Sequence, residues 1–159
     1  MRNLIYRLYE SKLERALRAA DLPKHIGVIV DGNRRWATKQ GGKAKQGHLA
    51  GAQKIPQFLQ WCDELGIKVV TIYLLSTDNL TGRSASELEA LQKIIGGLAT
   101  ELADVGRYRI QLVGDREAIP DQLLGTLVKA QSRTKNIDGV HVNLAIAYGG
   151  RKEIADAMR

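Results

Sequence analysis

The sequence predicts an α/β fold in which a mostly parallel central sheet is flanked by helices. Short apolar runs rich in β-branched residues alternate with longer amphipathic stretches, which is the pattern of strands connected by helices. Three of the four predicted strands end in polar or glycine-rich clusters, and parallel α/β sheets bind ligands at the carboxyl ends of their strands. No repeat and no linker-like stretch divides the 159 residues, so we expect a single domain over residues 1–159.

The predicted elements follow one another in a regular order. A first helix over residues 3–20 has apolar side chains at helical spacing and ends before Pro23. The predicted strands span residues 26–30, 69–75, 109–113 and 140–147. The helices between them are predicted over residues 50–65, 86–105 and 121–133, and a last helix begins at residue 152.

Local signals refine two of the helices. Pro56 lies inside the 50–65 pattern and predicts either a kink or a helix that starts near it. Ser86 and Glu89 have the spacing of a capping box at the start of the next helix. Gly66 and Gly106 follow the two apolar patterns and predict where these helices end.

Charge and composition narrow the classes of function. The net charge of +7 favours an anionic partner, which includes nucleic acids, anionic lipids and phosphorylated small molecules. An aromatic content of 5%, with no basic stretch interleaved with stacking residues, argues against single-stranded nucleic acid. Cys62 is the single cysteine, which excludes an intrachain disulfide. With neither a membrane span nor a signal-peptide core in the sequence, we expect a cytoplasmic protein.

Residues 31–36, Asp-Gly-Asn-Arg-Arg-Trp, follow the first predicted strand and have the chemistry of a diphosphate site. Asp31 can ligate Mg²⁺ through one carboxylate while phosphate oxygens complete the coordination shell. Gly32 lets the backbone approach a phosphate closely, and Arg34 and Arg35 supply bidentate phosphate donors. The alternative from this local pattern is an ordinary turn, with Asp31 as a cap and both arginines in solvent.

Two further polar groups follow. His48 lies on a glycine-punctuated loop with Lys43 and Lys45 and can donate to a diphosphate, although lone histidines are more often structural. Residues 76–79, Ser-Thr-Asp-Asn, follow the second strand and can orient a substrate or relay a proton, or they can form a turn that caps the next segment. The sequence contains no GxxxxGK[ST], GxGxxG, HExxH or GxSxG motif.

Four ordered motifs resemble those of the cis-prenyltransferases, the undecaprenyl diphosphate synthase family. Residues 25–36 are similar to the signature H-x-x-x-x-x-D-G-N-x-R-W. The matches that follow in order are Gly47-His48 with Gly51, Tyr73 to Asn79, Val113-Gly114-Asp115, and Asn143 to Arg151, which ends in Tyr-Gly-Gly-Arg. The resemblance covers residues 23–159, and residues 4–10 resemble the leader of short-chain actinobacterial members.

The resemblance implies an enzyme that joins isopentenyl diphosphate to an allylic diphosphate, forms a cis double bond and releases pyrophosphate. It implies a catalytic Asp31 that ligates Mg²⁺, and a catalytic Asn79 that acts with Ser76 in handling a proton. The other substrate-binding residues it implies are Gly32, Asn33, Arg34, Arg35, Trp36, His48, Thr77, Asp78 and Arg83. It also implies a homodimer, allows peripheral contact with a membrane surface, and involves no nucleic acid.

The sequence departs from the family pattern at several positions. Ala44 stands where an arginine is frequent, Leu80 stands where tryptophan is usual, and Arg83 comes one residue late. The family's C-terminal part is absent from the sequence. In the family it carries an R-x-S-G-E region for isopentenyl diphosphate, a glutamate that joins the metal site across a dimer, and the last strands. We therefore expect the 159-residue chain alone to turn over poorly.

Leu74 is the predicted determinant of product length. Family members elongate the product in an apolar tunnel between the sheet and two helices, here those over residues 50–65 and 86–105. Long-chain members resemble Tyr-Ala-Phe-Ser where this chain has Tyr-Leu-Leu-Ser, so Leu74 fills space that alanine leaves open. This predicts a C15 product, Z,E-farnesyl diphosphate made from geranyl diphosphate. The alternatives are a Leu74 that faces away from the tunnel, and a long-chain decaprenyl or undecaprenyl diphosphate synthase.

The sequence leaves two other classes of function open. A non-catalytic partner subunit of a cis-prenyltransferase is expected to have lost the Asp-Gly-Asn-x-Arg-Trp cluster, which is intact here. A basic nucleic-acid-binding module would show steep salt dependence of binding, but the sequence offers no base-stacking platform.

Overall fold

The computed structural model describes residues 2–18 and 21–158, so the last two residues of the predicted first helix lie outside the described residues. The first half contains α1 (Arg2–Arg18), β1 (His25–Ile29), α2 (Asn33–Lys39), α3 (Ala44–Ala52), α4 (Ile55–Glu64), β2 (Val69–Ser76) and α5 (Thr77–Gly82). The second half contains α6 (Ala85–Val105), β3 (Tyr108–Val113), a short 3₁₀ turn (Arg116–Ala118), α7 (Asp121–Thr134), β4 (Val140–Tyr148) and α8 (Gly150–Ala157).

The four strands form one parallel sheet in the order β1-β2-β4-β3. In the register of this sheet, Val28 of β1 lies opposite Ile72 of β2, which in turn lies opposite Leu144 of β4. The predicted α/β fold is confirmed. Because β1, β2 and β4 are neighbours, the three polar clusters that follow them lie at adjacent positions along one edge of the sheet.

The hydrophobic core lies on one face of the sheet, beneath α4, α6 and α7. Its most deeply buried side chains include Leu59, Val70, Leu102, Leu127 and Leu144. The helices bury the apolar stripes that the sequence predicts, because a helix on a sheet is stabilised by removing such a stripe from water.

The opposite face of the sheet is polar and partly exposed. Thr71 Oγ1 lies 2.8 Å from His25 Nε2 and accepts a hydrogen bond from Asn143 Nδ2 at 3.0 Å. Three adjacent strands are therefore linked across this face by side-chain hydrogen bonds. Within the described residues, no helix has the length and apolar character needed to cross a bilayer.

Several boundaries differ from the predicted ones. The pattern over residues 50–65 belongs to two helices, because α3 ends at Ala52 and α4 starts at Ile55. Pro56 occupies the first turn of α4, so of the two predicted alternatives the structure shows a helix that starts near this proline and not a kink. The short helices α2 and α5 were not predicted, since six or seven residues show too little periodicity to separate them from loops.

The predicted capping box at the start of α6 was wrong by two residues. Ser84 is the N-cap, and its Oγ accepts from the backbone N–H of Glu87 at 3.3 Å. Glu89 instead forms an exposed pair with Lys93, with 2.6 Å between the two side chains. The far end of α6 is as predicted, because Gly106 adopts a left-handed φ of 68° there.

Candidate active site

A cleft of about 340 Å³ lies at the carboxyl end of β1, between the sheet and helices α2, α3, α4 and α6. Its mouth is polar and its interior is apolar. The mouth is lined by Asp31, Gly32, Asn33, Arg34, Arg35, His48 and Arg83. The interior is lined by Val30, Ala52, Ile55, Leu74, Leu91, Ile94, Ile95 and Leu98. The cleft therefore offers a cationic end and a hydrocarbon end to one bound molecule.

The turn between β1 and α2 needs the glycine that the sequence supplies. Gly32 has a left-handed φ of 82° and is the N-cap of α2, a conformation that costs glycine far less than any other residue. The turn leaves Asp31 and Arg35 on the surface, with Arg35 Nη2 3.4 Å from Asp31 Oδ2 and both side chains 80% exposed. A pair this exposed is weak, so both groups can turn toward a ligand at little cost.

Asn33 fixes α2 against α3. Its Nδ2 donates to the carbonyl of Val30 at 3.2 Å. Its backbone carbonyl lies against Gly47 and its side-chain amide against Gly51, where a Cβ on either glycine would collide with it. This close approach brings α3, and with it His48, to the mouth of the cleft. Part of the predicted phosphate cradle is thus a packing contact between two helices.

His48, Arg83 and Glu87 form one buried cluster behind the mouth. Glu87 Oε1 accepts from Arg83 Nη1 at 2.8 Å and lies 3.0 Å from His48 Nε2, while Arg83 Nη1 lies 3.1 Å from the same His48 nitrogen. The hydrogen bond with His48 is the main cause that holds the pKa of Glu87 below its usual value. Burial opposes this shift in pKa, and the charges of Arg83, Arg34 and His48 add to it.

Arg83 keeps an unused donor in this cluster. Its Nε is buried and has no hydrogen-bond partner in the part of the chain that the structure describes. Leaving such a donor unpaired costs free energy, and Arg83 lines the cleft. The guanidinium of Arg83 therefore lies at the mouth of the cleft, where its charge can act on an oxyanion.

Leu74 lies on the same side of β2 as the buried core residues Val70 and Ile72, as strand alternation requires, and it lines the cleft. Tyr73 pairs with Ala145 and Leu75 with Ile146, so Leu74 is the extra residue of a bulge. Leu75 is buried in the core, whereas Leu74 lines the interior of the cleft, as Leu91 of α6 does. The alternative in which Leu74 faces away from the cleft does not hold.

The remaining predicted site residues do not line the cleft. Trp36 lies on α2 with 51% of its surface exposed. Ser76 caps α5 by accepting the backbone N–H of Asn79 at 3.1 Å. The hydroxyl proton of Ser76 is not used in that bond. Thr77 packs against Gly149 at the end of β4, and Asp78 lies in the first turn of α5.

The donor set at the mouth fits a metal that is held mainly by its substrate. Among the described residues, no group of three or more His, Cys, Asp or Glu side chains could hold a metal ion by itself. Asp31 supplies one exposed carboxylate beside the cationic mouth. Mg²⁺ is commonly bound by one or two carboxylates together with substrate phosphates and water, so Asp31 is compatible with that arrangement.

Comparison with known proteins decides the family. The family model described as putative undecaprenyl diphosphate synthase matches residues 29–159. The chain belongs to the undecaprenyl diphosphate synthase family. The predicted resemblance is confirmed, and the matched range includes every residue that lines the cleft, from Val30 to Leu98.

Relatives in the undecaprenyl diphosphate synthase family include short-chain enzymes. The chain is 49% identical to isoprenyl transferase 1 of Streptomyces avermitilis over 159 residues, which is all of this chain and 62% of that protein. It is 49% identical to the (2Z,6E)-farnesyl diphosphate synthase of Thermobifida fusca over 98% of this chain and 61% of that protein. The corresponding enzyme of Mycobacterium tuberculosis is 44% identical over 98% of this chain and 60% of that protein.

A solved structure of similar fold is lavandulyl diphosphate synthase from Lavandula x intermedia in complex with dimethylallyl diphosphate. Its TM-score is 0.83 at 30% identity, and the match covers 86% of this chain and 60% of that one. The chain thus spans three fifths or slightly more of the length of these proteins.

Proposed function

We propose that the full-length protein is a short-chain cis-prenyltransferase that condenses isopentenyl diphosphate with geranyl diphosphate. The product would be Z,E-farnesyl diphosphate, with release of pyrophosphate. The observation that carries this proposal is the division of one cleft into a cationic mouth and an apolar interior. An allylic diphosphate has the same division, because its head carries at least two negative charges and its tail is a hydrocarbon. The named activities of two relatives, both (2Z,6E)-farnesyl diphosphate synthases, support the proposed product.

The mouth would bind the diphosphate of the allylic substrate. Arg34 and Arg35 approach it from α2, and Arg83 with His48 approaches from the opposite wall. When the allylic carbon–oxygen bond breaks, negative charge develops on the departing pyrophosphate. Fixed cations around that oxygen lower the barrier because they stabilise charge that grows in the transition state.

Asp31 would hold the metal of this reaction together with the substrate. Mg²⁺ bound there would neutralise part of the charge on the leaving pyrophosphate. The carboxylate of Asp31 is exposed and weakly paired, so it is available for that role. Asn79 and Ser76 are proposed to take part in removing the proton from isopentenyl diphosphate, next to a site that the C-terminal part of the family fold would complete.

The apolar interior would accept the growing chain, and Leu74 would limit its length. Leu74 lines this interior together with Leu91, Ile95 and Leu98 of α6. Core side chains are densely packed and have little room to move aside. A short product follows from this obstruction, whereas a longer one needs a smaller side chain at position 74.

A primer assay tests the proposal. The full-length protein would be incubated with radiolabelled isopentenyl diphosphate, Mg²⁺ and either geranyl, farnesyl or geranylgeranyl diphosphate, and the dephosphorylated products separated by chain length. We expect a C15 product from geranyl diphosphate and little elongation of longer primers. Products of C50 or C55 would replace the short-chain assignment with a long-chain one. No incorporation from any primer would contradict the enzyme itself and favour a non-catalytic subunit.

A further inference from the structure

Glu87 lies in the first turn of α6, where its spacing from Ser84 is typical of a residue that caps the helix. Ser84-Ala-Ser-Glu87 has the capping-box spacing, in which the acid bonds back to the N-cap backbone. Ser84 does cap the helix. The carboxylate of Glu87 instead contacts His48 of α3 and Arg83, the residue that ends α5. The carboxylate of Glu87, which could complete a local cap, therefore links α6 to α3 and to the end of α5.

Glu87 contacts two residues that line the cleft, His48 and Arg83, but does not line the cleft itself. One oxygen, Oε1, serves both Arg83 Nη1 at 2.8 Å and His48 Nε2 at 3.0 Å. The His48, Arg83 and Glu87 side chains are only 7%, 14% and 17% exposed. His48 and Arg83 line the mouth, whereas Glu87 does not. Any effect of Glu87 on a ligand therefore passes through these two partners or through its charge.

The charge and the geometry of Glu87 predict opposite effects on diphosphate binding. As an anion close to the mouth, Glu87 weakens the binding of another anion by simple repulsion. As an anchor, it occupies Nη1 of Arg83 and holds the guanidinium at the mouth of the cleft. A guanidinium binds phosphate best when its fork is held in place beforehand.

We propose that Glu87 is a positioning residue, which holds Arg83 and His48 in the orientation that binds the diphosphate of the substrate. This inference rests on the proposed function, because it assumes that a diphosphate occupies the mouth. It adds a residue that contacts no substrate itself. Its benefit in alignment must exceed its electrostatic cost, so removing its charge is expected to weaken binding rather than strengthen it.

The test compares the full-length wild-type protein with Glu87→Gln, and uses inorganic pyrophosphate with Mg²⁺ as the binding probe. Calorimetry gives Kd for pyrophosphate, and steady-state assays give KM for geranyl diphosphate and kcat. We expect Glu87→Gln to raise Kd and KM together by about tenfold, which corresponds to about 1.4 kcal/mol. We expect kcat to change by less than about threefold, since alignment in the ground state is what is lost.

A second variant and a matched control keep the result interpretable. Glu89→Gln removes an exposed acid from the same helix, where Glu89 pairs only with Lys93 among the contacts described, and should leave Kd and KM unchanged. Glu87→Asp keeps the charge but withdraws it by one methylene, so it should also raise Kd. If the Glu87→Gln variant does not fold, the Glu87→Asp variant takes its place in the comparison.

Three outcomes would overturn the inference. Unchanged or tighter pyrophosphate binding by a folded Glu87 variant would show that charge, not alignment, is the main effect. A fall in kcat with unchanged Kd and KM would indicate a smaller folded fraction and hence a purely structural role. An equal loss in Glu89→Gln would assign the effect to helix α6 as a whole. If the wild-type protein binds pyrophosphate but transfers no prenyl group, the proposed function fails and the binding comparison still decides the role of Glu87.

Discussion

Gly47 marks the point at which α3 passes closest to α2. A Cβ at this position would collide with the backbone carbonyl of Asn33 and crowd Ala37. A backbone carbonyl cannot move aside as a side chain can, so the two helices would have to separate. Because α3 carries His48, this separation would also displace a residue of the cleft.

Gly47→Ala is therefore expected to destabilise the protein by about 1–3 kcal/mol, the usual cost of overpacking. Gly97→Ala is the matched control, since Gly97 also lies within a helix and an added Cβ there meets nothing within 4 Å. Alanine at position 97 should stabilise by about 0.5–1 kcal/mol, because it lowers the entropy of the unfolded chain. Urea unfolding of both variants measures the difference, and equal effects at the two positions would contradict the packing argument.

Glu87 also makes folding stability depend on pH in a defined direction. Its pKa in the folded protein is lowered from an ordinary value of 4.5, mainly by its hydrogen bond with His48. Its stabilising contribution is therefore fully present above about pH 4.5 and is lost as the pH falls through the lowered pKa. The gap in Tm between wild type and Glu87→Gln should be larger at about pH 7 than at about pH 3. A gap that is independent of pH would show that the ionised carboxylate is not what stabilises the cluster.

Among the elements, β2 shows both how far the sequence predicts the structure and where it stops. The four strands lie within one residue of their predicted bounds at every end, because buried parallel strands are continuous apolar runs. The bulge at Leu74 could not be predicted, since the run of apolar letters continues through it. Regular alternation places Leu74 on the core side with Ile72 and Leu75 on the opposite face with Tyr73, but the structure buries Leu75 in the core as well.

The same limit applies to the site. Residues 31–35 were predicted because polar groups directly after a strand lie at the edge where ligands bind. Glu87 was missed because its partner His48 is 39 residues away, and no local pattern reports such a contact. The spacing of Arg83 and Glu87 by four residues was the one available signal, and it is also common on ordinary helices.

The position of Leu74 in the cleft yields a prediction about product length. Leu74→Ala removes the side chain that faces the interior of the cleft, so the full-length variant should make products longer than C15 from geranyl diphosphate. Leu124→Ala is the control, because Leu124 is likewise partly buried against the core but does not line the cleft. Chromatography of the dephosphorylated products measures chain length. An unchanged distribution in a folded, active Leu74→Ala protein would remove Leu74 from this role.

At the scale of the whole molecule, the basic charge is partly concentrated where it can act. The cleft mouth alone contains Arg34, Arg35 and Arg83, with Asp31 as its acidic counterpart among the lining residues. The exposed aromatic side chains of α1, Tyr6 and Tyr9, lie on a different helix. Peripheral contact of the protein with a membrane surface stays a prediction.

The full-length protein is expected to be a homodimer, since the resemblance implies a glutamate that joins the metal site across the dimer. Light scattering coupled to size exclusion should give the mass of two chains. The 159-residue chain assayed alone should turn over poorly, because the implied isopentenyl diphosphate region is missing from it. An active monomer, or robust synthesis by the 159-residue chain, would contradict this account of the assembly.

The central claim is that Asp31 and the cationic mouth bind the diphosphate and metal of a prenyl transfer. The most direct measurement is Mg²⁺-dependent incorporation of radiolabelled isopentenyl diphosphate by full-length Asp31→Ala, beside wild type and with folding checked by circular dichroism. Asp31 is 80% exposed and only weakly paired with Arg35, so the variant should fold normally. We predict that its turnover is abolished, a loss of at least about a thousandfold for removal of the metal ligand. Near-normal incorporation by the folded variant would contradict the assignment of this cleft as the active site.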